Sequence, residues 1–312
     1  MTLRNVYYFN KKTIINNSYL MNNFVTIAIP TYKRPNLLSR AIDSVISKDH
    51  IFEILISING RDEYFDDYQK IQKKYSNFSN IKFFFQEHNL GFIGNLNFLI
   101  NKCKTEFISL LADDDESDPD GIIKLKNFLI KNKDYVSACL FWEFKSFEGS
   151  TSLIKPKYFD QKNILIRILK YIYSSDDAFF YGLHRTSSFK KCSFEGYWRP
   201  NQNELANWAY VFQFDLLLQG KIYLLNDKKY RWVNHDYTQK HYYRPKLNFF
   251  LRSIKYIIRR INIYYLYLKK ILFNKNYLIF FIILLISPGF LLRDLIFREP
   301  IYHKVKSKIN KI

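Results

Sequence analysis

The stretch LLADDDESDPD, residues 110–120, sets six carboxylates into the eight positions 113–120, directly after an apolar run. Carboxylates crowded at one strand end repel each other, so the grouping is costly unless a cation joins it. Oxygen-only donors suit hard divalent ions, Mg2+ or Mn2+, which usually bind substrate phosphates as well. On extended backbone Asp113 and Asp115, at i and i+2, point the same way. One can hold the metal while its neighbour reaches a ribose hydroxyl or a metal-bound water. Asp118 and Asp120 flank Pro119 and are expected to cap the next helix. The plainer alternative is a solvated acidic turn. What favours the metal site is the apolar strand in front of it and the pattern around it.

That pattern alternates strands and helices. FVTIAIPTY (24–32) is a short apolar run stopped by Pro30, and RPNLLSRAIDSVIS follows with apolar residues at helical spacing. EILISING (53–60) and IKFFFQ (81–86) are further strands, separated by the polar-faced helix YFDDYQKIQKKY. GFIGNLNFLINKC (91–103) is a helix, FISLLA (107–112) a fourth strand, and residues 120–131 a helix again. Such alternation predicts a mostly parallel α/β sheet with helices on its faces, and ligands bind at the carboxyl ends of its strands. PTYKR, NGRDE and ADDDESD all fall at those ends. Further on, YVSACLFWEFKSF reads as one strand or two, ILIRILKYIYSS as an amphipathic helix, AFFYGLHRTSSF as a strand running into a turn, residues 203–220 as a helix stopped by Gly220, and KIYLLND as a strand.

With 312 residues, 48% of them hydrophobic, the chain builds a substantial core and wholesale disorder is excluded. Its net charge of +20 is uneven. Residues 237–312 hold 16 basic and 2 acidic side chains, +14 of that total, so the two parts should meet different partners. Three widely spaced cysteines form neither a disulfide framework nor a CxxC metal site, which fits a reducing compartment. Residues 1–23 lack the apolar core of a signal peptide; with Met21 just before the first strand, they read as a loose extension or a mis-assigned start. Residues 24–236 are expected as one α/β domain, divided at 134/135, and 237–312 as a helical tail.

Three motifs, VTIAIPTYKRPNLLSRAIDSVI, NLGFIGNLN and LLADDDESDPDGI, together resemble the nucleotide-binding half of family-2 glycosyltransferases of the GT-A fold. Within that group, a small residue before three aspartates is similar to the abequosyltransferase-like enzymes of bacterial surface polysaccharides. The resemblance covers roughly residues 24–235 and implies a Rossmann-like GT-A domain. It implies that Pro30, Thr31 and Tyr32 wall the base, and that Asp113 and Asp115 serve ribose and a Mn2+ or Mg2+ ion beside the pyrophosphate, as a DXD motif does. Asn89, Gly91 and Asn97 would frame the donor, with Arg34 and Asp114 counted among its contacts. Where the family usually places an acid to read the base, this chain has Ile58 followed by Asn59, so Asn59 or Asp62 would take that place.

The implied reaction is an inverting displacement, transferring a hexosyl or deoxyhexosyl group from a nucleotide-sugar donor while a carboxylate takes the acceptor proton. Glu204 is the base candidate, at the start of the expected 203–220 helix, whose N-terminus would keep it ionised. Counted back from Gly220, the family's paired acidic motif falls instead on Trp208 and Ala209. First-turn capping is the alternative role for Glu204, and Asp176 and Asp177 stand in reserve. His235, in a late loop, could touch metal or donor phosphates, with Arg231, Lys240 and Arg244 clamping diphosphate. His184 and Arg185 could face the acceptor.

In the tail, residues 246–276 interleave Lys and Arg with aromatic and aliphatic residues at helical intervals, the pattern of a helix lying in a membrane interface. Residues 277–292 follow without a charge. At about 1.5 Å per residue they reach roughly 24 Å, short of a hydrocarbon core near 30 Å, and Ser287-Pro288-Gly289 is expected to interrupt them. A monotopic or re-entrant anchor over 246–297 is therefore expected, against the alternative of a helical hairpin packed on protein. An anchor suits a polyprenyl-diphosphate-linked acceptor at the cytoplasmic face of a bacterial inner membrane, in O-antigen or capsule synthesis. A homo-oligomer stays open. The rival readings are a basic nucleic-acid-binding protein, which leaves the acidic triplet unexplained and predicts a polar tail, and a nucleotidyltransferase or dinucleotide enzyme, for which GFIGN is not a full glycine fingerprint.

Overall fold

The computed structural model describes residues 25–46, 52–145, 151–154, 156–174, 178–199, 204–233 and 249–293. The expected N-terminal extension lies outside them. In chain order the first elements are β1 (Val25–Thr31), α1 (Pro35–Val45), β2 (Phe52–Ile58), α2 (Phe65–Lys74), β3 (Ile81–Phe85), α3 (Gly91–Lys102), β4 (Phe107–Leu110) and α4 (Pro119–Lys131). Then come β5 (Tyr135–Lys145), β6 (Thr151–Ile154), α5 (Ile164–Ser174), a 3-10 turn at Ala178–Tyr181, β7 (Leu183–Arg185) and α6 (Thr186–Phe189). The last are β8 (Tyr197–Arg199), β9 (Glu204–Ala206), α7 (Trp208–Gln219), β10 (Lys221–Val233), α8 (Phe249–Phe273) and α9 (Tyr277–Arg293).

The main sheet runs β10-β5-β7-β4-β1-β2-β3, with β6 added on β5. Strands β3, β2, β1 and β4 are mutually parallel, while β7 is antiparallel to both β4 and β5. In β1, residues Val25 to Ile29 are all inaccessible. Burial on both faces is what a parallel strand beneath two helical layers requires, and it explains a run with little polar alternation. Helix α1 begins with Pro35, whose fixed φ suits a first turn, and it buries Leu38, Ala41, Ile42 and Val45 at spacings of three and four.

The described chain divides into two compact units. The first holds the main sheet with α1–α4 and α6. The second gathers residues 157–177, 192–221 and 236–312, so the helices of the C-terminal extension share a core with α5 and α7. In that core the rings of Phe214 and Tyr267 stack at 4.1 Å, and Tyr171 donates its hydroxyl to the Tyr210 carbonyl. Lys270 of α8, only 8% exposed, pairs with Asp215 of α7 at 2.9 Å and with Glu195 at 2.8 Å. A buried charge held this way fixes α8 on α7, because removing either partner strands the other away from water.

Two expectations are corrected here. The helix expected over 203–220 starts only at Trp208; Asn207 sits at φ +62, a left-handed turn, and residues 204–206 form β9, paired with β8. The interruption expected at Ser287-Pro288-Gly289 does not occur, and α9 runs through Pro288 to Arg293. Proline removes one N–H, yet Pro288 is on the exposed side, and the Ser287 hydroxyl donates to the Ile283 carbonyl at 2.6 Å. Among the described residues no helix is long and apolar enough to cross a membrane.

Candidate active site

Parallel register brings the acidic triplet beside the end of β1. Ala28 lies opposite Leu110, and the Leu111 N–H donates to the Ala28 carbonyl, so Thr31 and Asp113 arrive at one level. The Thr31 hydroxyl donates to Asp113 Oδ2 at 2.7 Å. Its one hydrogen is thereby used, so the Tyr68 hydroxyl, 3.1 Å away, donates to Thr31 and in turn accepts the Arg34 N–H at 2.9 Å. One directed chain therefore runs from the Arg34 amide through Tyr68 and Thr31 to the carboxylate. The Arg34 guanidinium reaches Asp113 Oδ1 at 3.2 Å and Asp114 Oδ2 at 2.8 Å.

Both Asp113 and Asp115 are buried, at 5% and 4% exposure. Burial lifts the Asp113 carboxyl to about 6, helped by the neighbouring Asp114, while Arg34 and Thr31 hold it down. Burial likewise pushes Tyr68 up to about 12, which keeps it a neutral donor. The geometry assumed for the triplet is corrected: residues 113–114 form a turn, closed by the Asp115 N–H on the Ala112 carbonyl at 3.1 Å, not an extended i, i+2 pair. Helix α1 holds this turn from below. Arg40 donates to the Asp114 carbonyl at 2.6 Å and pairs with Glu116 at 3.3 Å, and the Ser44 hydroxyl accepts the Ser117 N–H. Asp118 caps α4 as expected, accepting the Gly121 N–H at 3.2 Å.

The end of β2 is built around Asn59, which is 3% exposed. Its amide donates to Asn89 Oδ1 at 2.9 Å and to the Gly91 carbonyl at 3.3 Å, and it accepts the Leu90 N–H at 2.8 Å. Both of its amide hydrogens are thus taken up by the 89–91 turn, and its place in the structure is to hold that turn. Gly60, at φ +99, passes so close that a Cβ there would stand 3.0 Å from the Asn89 nitrogen. Asp62 accepts the Tyr64 N–H at 2.9 Å, opening α2. Asn89 accepts the Gly91 N–H, while Asn97 is exposed on α3. The α3 asparagine tied to the sheet is Asn95, which exchanges hydrogen bonds with Ser57. Pro30 is half-buried and Tyr32 is 40% exposed, so the ring stands available beside the strand end.

Of the other expected residues, only His184 and Arg185 have described side chains. Glu204 lies in β9, opposite Arg199, four residues ahead of α7 rather than at its first turn. Only the backbone of Glu204 and of Arg231 is described, and Asp176, Asp177, His235, Lys240 and Arg244 lie outside the described residues. His184 cannot face an acceptor: it is fully buried between Ser137 and the Phe180 carbonyl. Arg185 donates to the Leu129, Asn132 and Tyr135 carbonyls and closes the end of α4. Tyr68, Arg40 and Asn95 were missed. The signal for Tyr68 was weak: it is the single fully buried residue of a mostly polar helix.

A hard cation here would take oxygens from Asp113 and Asp115. Among the described residues no three acidic, His or Cys side chains converge as a closed metal site. Magnesium and manganese are commonly held by one or two carboxylates together with substrate phosphates. The donor set fits an ion shared with a diphosphate, not one caged by protein alone.

Compared with protein-family profiles, residues 26–192 match "Glycosyl transferase family 2". The match spans more than half of the chain, and the protein belongs to this family. Among solved structures, the chain is similar to S. aureus TarS 1-349, with a TM-score of 0.56 at 15% identity over 78% of this chain and 80% of that one. TarS 1-349 in complex with UDP-GlcNAc gives 0.51 at 16% identity, over 77% and 67%. Against the crystal structure of S. aureus TarS the TM-score is 0.50 at 18% identity, over 68% of this chain and 37% of that one. At these identities the likeness is one of fold, a mostly parallel sheet flanked by helices. No curated protein matches by sequence.

Proposed function

We propose that this family-2 glycosyltransferase moves a hexosyl or deoxyhexosyl group from a nucleotide-sugar donor to a glycan acceptor with inversion. The observation that carries the reading is the buried Asp113, oriented by Thr31 and Arg34 at the carboxyl edge of the sheet. Such an orientation suits a carboxylate that accepts ribose hydroxyls beside a diphosphate. Tyr32 and Pro30 lie next to it for the base, with Asp62 at the neighbouring loop, and the UDP-GlcNAc bound by the structurally similar TarS 1-349 supports this class of donor.

Asp115, with Asp113, would hold Mn2+ or Mg2+. Such an ion, when bound, supplies positive charge to the departing diphosphate. Arg34, now paired with Asp113 and Asp114, stands close enough to share that charge with the phosphates. The acceptor hydroxyl gives its proton to a carboxylate, for which Glu204 is the first candidate and Asp177 the second; His235 is a candidate contact of metal or phosphate. The acceptor is assigned to a polyprenyl-diphosphate-linked glycan at the cytoplasmic face of the inner membrane, in O-antigen or capsule synthesis of the abequosyltransferase-like kind. The support is the basic, apolar tail.

A panel of sugar nucleotides, each tested for hydrolysis and for binding with Mn2+ or Mg2+, checks the reading in wild type and Asp115→Ala. One donor is expected to be turned over by wild type and at least 100-fold more slowly by the variant. Equal turnover by both proteins overturns the assigned site.

A further inference from the structure

The outer faces of the last two helices are apolar where a helix exposed to water carries polar residues. On α9, Leu278, Phe281, Leu285 and Leu292 follow at spacings of three, four and seven and are 58–79% exposed. On α8, Ile258, Ile261, Tyr265 and Leu272 repeat the same spacing, 41–62% exposed. The opposite sides, with Ile263, Tyr267 and Ile271 of α8 and Ile279 and Ile283 of α9, are buried within the second unit. Both arms are therefore apolar on two sides, which calls for a second apolar environment.

Between α5 and α9 lies an open groove of about 750 Å³. Its apolar walls include Ile166, Leu169, Ile286 and Phe290, and two cations, Lys170 and Arg293, stand in the lining. Aromatic faces hold both in place: Lys170 lies 3.9 Å over Tyr158, and Arg293 4.7 Å over Tyr173. Between residues 237 and 293 there are eleven Lys and Arg and no Asp or Glu, although Lys269 and Lys270 among them are turned to Glu195 and Asp215 of the second unit.

Charge decides what covers this face. A two-fold contact between copies sets a surface against itself, and so cations against cations. A bilayer with anionic headgroups offers apolar chains to the stripes and phosphates to the cations. The 17 residues of α9 span roughly 25 Å at 1.5 Å per residue, too short to cross and suited to lying in the interface.

We infer that the outer faces of α8 and α9, together with the α5–α9 groove, form a docking surface for an anionic phospholipid bilayer. The groove takes an acyl chain, and Lys170 and Arg293 meet the lipid phosphate. This deepens the membrane side of the proposed function, rests on it, and brings in α5, which lies outside the basic tail.

The test uses the full chain with phosphatidylglycerol or phosphatidylcholine vesicles, co-sedimented at physiological salt, alongside sugar-nucleotide hydrolysis without vesicles. Wild type is expected to bind the anionic vesicles at least tenfold more tightly than the neutral ones. The double variant Leu278→Glu/Leu285→Glu, at exposed positions, is expected to lose binding to both by tenfold or more. Lys170→Glu should weaken only the anionic binding, several-fold. Both variants should keep wild-type hydrolysis, which also reports that they fold. Undiminished binding by the double variant overturns the surface, and equal binding to both lipids overturns the role of the cations. A vesicle-free dimer that the double variant dissociates shows a second copy as the occupant and overturns the inference too. Hydrolysis absent from wild type counts against the transferase reading, while the vesicle measurement still decides the surface.

Discussion

Thr31 makes the acidic triplet a defined site, since its hydroxyl is both the donor to Asp113 and the acceptor for Tyr68. In Thr31→Val a buried carboxylate oxygen loses its donor and a buried phenol loses its acceptor, while side-chain volume is nearly kept. An unmet buried polar group costs about 1–3 kcal/mol, so urea unfolding should show a loss of about 2 kcal/mol, with Thr31→Ser close to wild type. A valine variant as stable as wild type would show that the chain of hydrogen bonds carries no weight. At this scale the sequence was informative where function concentrates residue types in a short run. Thr31, Arg34 and Asp113 stood in recognisable stretches, and the structure brings those three together. Tyr68 reaches them from a helix 37 positions beyond Thr31, and nothing in its polar surroundings marks it. Asn59 shows the opposite case. Its place at a strand end suggested base recognition, yet its amide is engaged by the 89–91 turn, a contact that depends on a fold around residues 30 positions away.

Strand β7 and the turns beside it show how an element can hide a structural histidine in a stretch that looks functional. The Phe180 carbonyl can only accept, so His184 Nε2 carries the hydrogen, and Nδ1 accepts from the Ser137 hydroxyl. Every polar atom is met with the ring neutral, and burial lowers its pKa to about 4 from an ordinary 6.5. The stability from this neutral ring is complete above pH 6.5. As pH falls toward 4 the unfolded chain takes up a proton that the folded ring refuses, and about 2 kcal/mol is lost by pH 5. Asp113 acts in the opposite direction. Its folded carboxyl, raised to about 6, binds a proton before the unfolded one does and adds stability over part of the same range. The sign is therefore read from a difference: relative to His184→Gln, wild type should lose its advantage in urea unfolding between pH 7 and pH 5. A gap that stays constant with pH would sink the assignment. The alternation from β1 to α4 was legible because short apolar runs there take turns with segments carrying apolar residues at helical spacing. The segment before α7 was not, because the left-handed Asn207 that separates β9 from the helix leaves no trace in apolar spacing. In α9 proline suggests a break, but at an exposed position of an apolar helix it is carried within the run to Arg293.

Across the whole molecule charge and chemistry separate. Residues 237–312 carry +14 of the net +20, and the described part of that tail belongs to the second compact unit. The triplet, with Thr31, Arg34 and Asn59, belongs to the first. A ligand that binds only the folded form stabilises what it touches by about 2.7 kcal/mol at a hundred times its dissociation constant. That is roughly a hundredfold slowing of hydrogen exchange for amides that exchange through opening of the same unit. Adding the cognate sugar nucleotide with Mn2+ should therefore slow exchange in β1, β2, β4 and the 113–117 turn, and leave residues 257–293 at their unliganded rates. Phosphatidylglycerol vesicles should do the reverse, protecting α8 and α9 and leaving β1 and β2 unchanged. Asp115→Ala should remove the first response and keep the second; Leu278→Glu/Leu285→Glu should remove the second and keep the first. Protection that spreads over both units with either ligand would mean that they open together. The separation of donor chemistry from membrane contact would then fail, even with each site correctly placed.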